Sequence, residues 1–444
     1  MAQRPREAEQ EPGRPPVDDS PTSQPQNRSH RRISTFESFY YRNYRLLWTG
    51  NFLINTADWL QILTVGWLML RLTDGNALLT GTVVGIRTLP VLLVGPWAGV
   101  LADRIDRRKL MSITQICLAT VAVIFAVLVA ATDLNAEPYT GPLQIWHLFA
   151  YVAITGVFHS IMRPARQSLI PNVVPRSALP NAMALNATAR TSTRLLGPAL
   201  GGVLIELLGG FNWNFFLEAG AYVGVAAIMF PMRTPYQSVS TARAASVWGN
   251  MKEGLAYIWK TRIILHLMLI SLLPNFVFQP LVFLLPVFIS DVLKGSEGLG
   301  GLLLSIMGIG GVAATMLIAS IGFKLGKGRS MIIGLIVGSA AILVLAQVPW
   351  LPVTMAMFLL LGFAQTHFRV GNSTLIQTLV PDELRGRVTS VYQLDHGLIP
   401  LAVFVISLVV QLTDVAMTLS VLAGGSLVIS IASMLFAQQI RRLD

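Results

Sequence analysis

Charge is what this sequence is shortest of. Only 12% of its 444 residues are charged, against about 25% in an ordinary soluble domain. That deficit, with 53% hydrophobic residues and a mean hydropathy of +0.60, excludes a soluble globular protein. Cysteine is nearly missing too: Cys117 stands alone in an apolar run, which excludes an intramolecular disulfide and a cysteine-based metal site. There is no GxxxxGK[ST] phosphate loop and no polar stretch long enough to fold into a nucleotide-binding domain. No pattern for covalent catalysis or metal ligation is present, so neither enzyme activity, a cofactor nor a metal is expected. The net charge of +11 does not point to nucleic acid, because the lysines and arginines fall in short clusters between apolar runs, as loop charges of a membrane protein do.

What is there is a succession of apolar runs. A helical span needs about 20 residues, and twelve candidates follow one another: 46–70, 78–102, 109–132, 145–165, 181–208, 213–232, 263–290, 297–321, 329–348, 351–377, 388–412 and 415–437. The runs lack the alternation of a membrane barrel, and open sheets cannot cross lipid, so the spans are helices. Of 33 lysines and arginines, 27 lie in the tail, the even-to-odd loops and the C-terminus; the opposite loops hold only Arg71 and Lys294. Both termini are therefore expected in the cytosol.

Residues 1–40, rich in Pro, Gln, Ser and charge, have no apolar signal-peptide core and read as a disordered cytosolic tail. The polar stretch 233–262 divides the rest into bundles 41–232 and 263–444. It contains "WGNMKEGLAYIWK", an amphipathic piece suited to the membrane surface. The halves repeat weakly at an offset of 206: "SLIPNVVP" (168–175) matches "TLIQTLVP" (374–381), and Arg163 falls over Arg369. The expectation is an all-α membrane protein of twelve transmembrane helices in two pseudo-symmetric six-helix bundles, with the substrate site between them near the midplane.

In the loop after the second span, "GVLADRIDRRKL" (99–110) combines a packing glycine, Gly99, with a span-ending Asp103 and a basic run, Arg104, Arg107 and Arg108. With twelve spans in two halves, it resembles the loop signature of the major facilitator superfamily, and the resemblance extends over everything after the tail. It implies that Asp103 faces the start of the eleventh span and gates the transporter, while Arg104, Arg107 and Arg108 meet cytosolic carboxylates. The family's usual glycine is Asp106 here; aspartate tolerates tight-turn geometry, so the turn is expected to survive. "TADWLQILTVGW", "RPARQSLIPNVVPRSALPNAMALN" and "NSTLIQTLVPDELRGRVTSVY" resemble the bacterial exporter branch that includes the enterobactin exporter and macrolide efflux proteins. "GPALGG" in the fifth span resembles the family's antiporter signature: Gly197, Gly201 and Gly202 allow close approach and Pro198 bends the helix.

Intramembrane charges mark function. The apolar part of the fifth span, Leu195–Leu208, is about 14 residues, too short to cross. Arg190 and Arg194 therefore lie at membrane depth on one face, toward a cavity or a carboxylate. Asp58, mid-way along the first span, is the first candidate for proton coupling; its alternative is a permanent ion pair with an arginine. Asp395, with His396, His367 and Arg369, is the second, and structural pairing is its alternative too. Glu218 is expected near water. Asn51, Asn55, Trp59, Gln61, Arg87, Arg190, Arg194, Asn275, Phe278, Gln279 and His367 complete a candidate cavity whose aromatic and amide mixture suits an adaptable pocket.

These features lead to one expectation: a monomeric secondary transporter of the bacterial cytoplasmic membrane, surrounded by the lipid bilayer. It would exchange protons for a small amphiphilic molecule (drug, siderophore or metabolite) by alternating access. An importer or lysolipid flippase of the same fold, or a non-transporting sensor or scaffold, are the alternatives.

Overall fold

The structure is a computed structural model that describes residues 36–91, 93–94, 97, 106–136, 139–235 and 247–436. Its helices are α1 (Arg42–Leu72), α2 (Ala77–Ile86), α3 (Arg107–Ala130), α4 (Ile145–Val173), α5 (Leu179–Leu208), α6 (Asn212–Met229), α7 (Val247–Lys260), α8 (Arg262–Phe283), α9 (Glu297–Ile321), α10 (Lys327–Gln347), α11 (Leu351–Leu379), α12 (Asp382–Leu394), α13 (Ile399–Leu412) and α14 (Val415–Phe436). Among the described residues each apolar run has become a helix or a helix with one break. Among the described residues there is no strand, and eight helices are long and apolar enough by themselves to cross a membrane.

The breaks follow from proline. Pro90 has no N–H and its ring crowds the carbonyl four residues back, so α2 gives way to a turn at Arg87 and Thr88 before the chain is helical again. Pro400 does the same between α12 and α13, where residues Asp395–Leu398 form a 3-10 turn. Arg87 and Asp395, two of the expected membrane charges, both sit at such breaks. In α8, Pro274 and Pro280 precede the helix end at Phe283, and the span continues as a short helix (Leu285–Phe288) and a π-helical turn (Ile289–Leu293). By contrast, α5 runs unbroken through Pro198.

Spans α1–α6 make one six-helix bundle and α8–α14 the other, giving the major facilitator fold. The ends that carry the start of α1 and the α6–α8 connection are called the terminus face here; the ends at residues 73–76, 209–211 and 294–296 form the opposite face. The halves meet at the opposite face. Gln411 Oε1 accepts from the backbone N–H of Ala77 at 2.9 Å, Ser296 Oγ donates to Glu206 at 3.0 Å, and Arg71 lies 3.7 Å from Glu297. Where Pro198 and Gly202 of α5 meet Gly301 of α9, the contact is backbone on backbone. A Cβ on Gly301 would lie 2.5 Å from the Pro198 carbonyl oxygen and 3.0 Å from the Gly202 Cα. The hydrogen bonds and the ion pair that Ala77, Leu78, Arg194, Leu195, Glu206 and Arg71 make with the other half lie at the level of Arg194 or nearer the opposite face. Among the described residues the molecule is closed at the opposite face and open at the terminus face, where Arg190 and Arg369 are exposed.

Residues 37–40, placed by composition in the tail, form a 3-10 turn. Ser38 is buried there, its N–H donating to Asn181 and its hydroxyl to the Ala178 carbonyl. At the linker, α7 docks on α12: a Cβ on Gly254 would sit 2.8 Å from the Arg387 carbonyl oxygen, and Glu253 pairs with Arg387. Ile258 is buried while Leu255 and Trp259 stay exposed.

Candidate transport site

The first site grows from α1. About four and a half turns from its start, Asp58 meets two cations from neighbouring helices. Arg87, at the α2 break, places Nη2 2.6 Å from Asp58 Oδ1 and donates Nη1–H to the Asp58 carbonyl at 3.2 Å. His159 of α4 brings Nδ1 to 2.9 Å from the same carboxylate oxygen. The close approach of α2 to α4 depends on Gly156, where a Cβ would lie 2.6 Å from the Arg87 carbonyl oxygen.

From His159 the contacts continue inward. Its Nε2 is 3.2 Å from the Tyr222 hydroxyl, which donates to Glu218 Oε1 at 2.7 Å. Glu218 Oε2 accepts from the Tyr151 hydroxyl at 2.8 Å, and Gln61 Nε2 donates to Oε1 at 2.8 Å. Glu218 is fully buried, and among the described residues it has no ion-pair partner. The expectation of a water-side residue fails here because it judged Glu218 by depth along the span. Rotation decides instead: Glu218 and Tyr222, one turn apart on α6, both point into the bundle. With Tyr222 donating to Glu218, His159 Nε2–H must donate to Tyr222, and the contact between Asp58 and Nδ1 then needs one further proton between two acceptors.

The second site lies where the halves touch. Arg194 on α5 donates Nη2–H to Gln365 Oε1 of α11 at 2.5 Å and lies 5.3 Å above the Trp59 ring. Its Nη2 is also 3.3 Å from the Met307 sulfur, while its Nε is buried without an acceptor. Gly308 lets α9 come this close: a Cβ there would lie 2.8 Å from the Leu195 Cα. Arg194 thus faces an amide from the other half rather than a carboxylate. Arg190, one turn nearer the terminus face, is exposed to the open side.

The remaining expected residues are spread more widely. Asn275 donates to the Asp395 carboxylate, and Asp395 is within Coulombic reach of Arg369. His367 stacks on Phe363 with ring centroids 5.8 Å apart and lines an apolar cavity of about 320 Å³ with α9 and α10 residues, so it does not join Asp395. The side chain of His396 lies outside the described residues. Phe278 is fully buried against Gly338, Gln279 is half-buried, and Asn55 is buried. Asn51 is buried and donates to Asn186 at 2.8 Å, tying α1 to α5. In the GPALGG stretch, Gly197 abuts Thr56 and Trp59 of α1, Gly201 meets Leu63, and Gly202 meets Gly298 and Gly301 of α9. Gly99, Asp103 and Arg104 lie outside the described residues, as does the side chain of Arg107. Arg108 donates to the Met232 carbonyl at 2.6 Å and lies 3.5 Å from Asp106. Asp106 itself has an ordinary φ of −55° and caps α3, accepting from the N–H groups of Arg108 and Lys109. Partial burial pushes its pKa up, but those two N–H groups outweigh that and hold it below the usual carboxylate value. The charge that replaces the family's glycine is thus absorbed by a helix N-terminus.

A two-bundle helical membrane fold with polar groups at the bundle interface is the architecture of the major facilitator transporters. Residues 33–443 match the family described as transmembrane secretion effector, and the chain belongs to it. It is similar to the staphyloferrin A transporter of Staphylococcus aureus, 23% identical over 394 residues that cover 87% of this chain and 94% of the relative. It is also similar to the multidrug efflux pump Tap of Mycolicibacterium fortuitum, 25% identical over 75% of this chain and 80% of that one. Among solved structures, a nucleoside transporter superposes with a TM-score of 0.70 at 14% identity, covering 88% of this chain and 99% of that one. A D-xylose–proton symporter superposes with a TM-score of 0.68 at 16% identity, covering 90% and 97%.

Proposed function

We propose that this transporter is a proton-coupled exporter of a small amphiphilic molecule, working by alternating access in the bacterial cytoplasmic membrane with both termini in the cytosol. The observation that carries the coupling is the unbroken chain Arg87–Asp58–His159–Tyr222–Glu218, which joins a half-buried carboxylate to a fully buried one through two groups that both donate and accept. Such a chain can hand on a proton without moving a helix. Asp58 and His159 are the groups that load and release it; Asp395, held by Asn275, is the secondary candidate. The uneven loop charges support the orientation, and with it the open terminus face is the cytosolic one. A molecule enters between α5 and α11, and the glycine seam at α5 and α9 parts to let it out. Efflux pumps and a siderophore transporter among the relatives support a small organic cargo.

The test is purified protein in proteoliposomes with pyranine trapped inside. A panel of siderophores, macrolides and tetracyclines is added under an imposed pH gradient. At least one compound should move protons in exchange, and Asp58→Asn should abolish that movement. Compound flux indifferent to the gradient, or unchanged in Asp58→Asn, would refute proton exchange.

A further inference from the structure

Among the described residues, the open side carries more arginines than carboxylates. The Arg194–Gln365 hydrogen bond fixes the register of α5 against α11. One turn toward the terminus face, each helix presents an arginine: Arg190 on α5 and Arg369 on α11, both exposed to the open side. Arg369 acts on both Arg190 and Arg194 through space. On α4, Arg163 and Arg166, about one and two turns past His159, extend the group; Arg166 is within Coulombic reach of Arg190, and its Nη1 is buried without an acceptor. Among the described residues none of these five arginines is in a salt bridge. Asp58 reaches three of them only at a distance, and its near oxygen is already held by Arg87 and His159. Asp395 is the remaining carboxylate, near Arg369 alone.

We propose that this arginine group is the cargo site and that it takes an anionic amphiphile bearing two or more carboxylates or equivalent acid groups; the proposal rests on the reading of this cavity as the transport site. Guanidinium groups from both halves match the planar, bidentate geometry of carboxylates, and Trp59 beneath Arg194 supplies the apolar contact. The same charges make the cargo a condition of movement. Closing the terminus face brings Arg190 toward Arg369, and two like charges repel strongly in a medium poor in water. An anion between them turns that repulsion into a bridge, so the empty carrier resists closing.

Equilibrium binding separates this from proton coupling, because it needs no gradient. The full chain in neutral-lipid nanodiscs is titrated with 5-carboxyfluorescein, an anionic probe, and with rhodamine 6G, a cationic one of similar ring system, against empty nanodiscs. Fluorescence anisotropy should show carboxyfluorescein bound at least about ten-fold more tightly, with affinity falling as salt rises. Arg190→Gln and Arg369→Gln should each weaken it roughly ten-fold, and Arg369→Lys, which keeps the charge, should lose only about three-fold. The proposal is overturned if rhodamine 6G binds more tightly, if carboxyfluorescein shows no saturable binding, or if the Arg190→Gln/Arg369→Gln double variant binds it as the parent does.

Discussion

Aligned at the offset of 206, "GVFHSIMR" (156–163) in α4 and "GFAQTHFR" (362–369) in α11 are the same stretch used twice. Gly156 and Gly362 both seat their helices against a neighbour's backbone: Gly156 on α2, Gly362 on α9. Arg163 and Arg369 both sit toward the terminus face. Between them the halves diverge. His159 bonds within its own bundle, to Asp58 and Tyr222, whereas Gln365 reaches across to Arg194. One repeat position holds a titratable ring in the first half and a neutral amide in the second. On the proposed reading this one position separates two tasks: in the first half it would exchange protons, and in the second it supplies a neutral amide that touches the first half.

The largest effect is expected where that separation is erased. Asp58→Asn removes the carboxylate that His159 and Arg87 share, and gradient-driven transport should fall by roughly 100-fold or more, read as initial rates in proteoliposomes. Next, His159→Gln copies the second half into the first. Proton movement should drop about ten-fold or more, while cargo should still equilibrate down its own gradient; intact proton movement would show that the repeat position does not divide the two tasks. Gly301→Ala attacks the contact between halves instead. With the new Cβ 2.5 Å from the Pro198 carbonyl, the seam has to open, at a cost of about 1–3 kcal/mol. Cysteines placed across the opposite face should then cross-link more slowly.

The smallest effects belong to the loops. Asp106→Ala should cost about 1 kcal/mol through loss of the α3 cap, seen as a lower melting temperature. Because its folded-state pKa is depressed, Asp106 contributes above the ordinary value of about 3.9, and that contribution disappears as the pH falls through the folded pKa. The parent and the Asp106→Ala variant should therefore converge in stability on acidification. Arg387→Gln, which frees α7 from α12, should cost under about 1 kcal/mol, since both side chains are substantially exposed.

Helix number and order were legible because apolar length is written directly along the chain: the eighth span, 297–321, has the bounds of α9. The arginines of α5 were legible for the same reason, since the apolar part of that span is too short without them. Partners were not legible, because they depend on how each helix is rotated and how it is set against the next. Gln365 reads as one more amide until α11 is placed beside α5. Glu218 reads as water-side until α6 is turned so that it faces Tyr151 and Gln61. The breaks at Pro90 and Pro400 carried a local signal, and it marks where Arg87 and Asp395 leave regular helix.

The glycine seam between α5 and α9 bears on how fast such a carrier can turn over. A gate built from long side chains must order their rotamers at every closure and release them at every opening, each with an entropic cost. Gly202, Gly298 and Gly301 have no rotamers to order. Along this seam two backbones part, and the side chains left to order at this face are those of the flanking contacts Ser296–Glu206, Arg71–Glu297 and Gln411–Ala77.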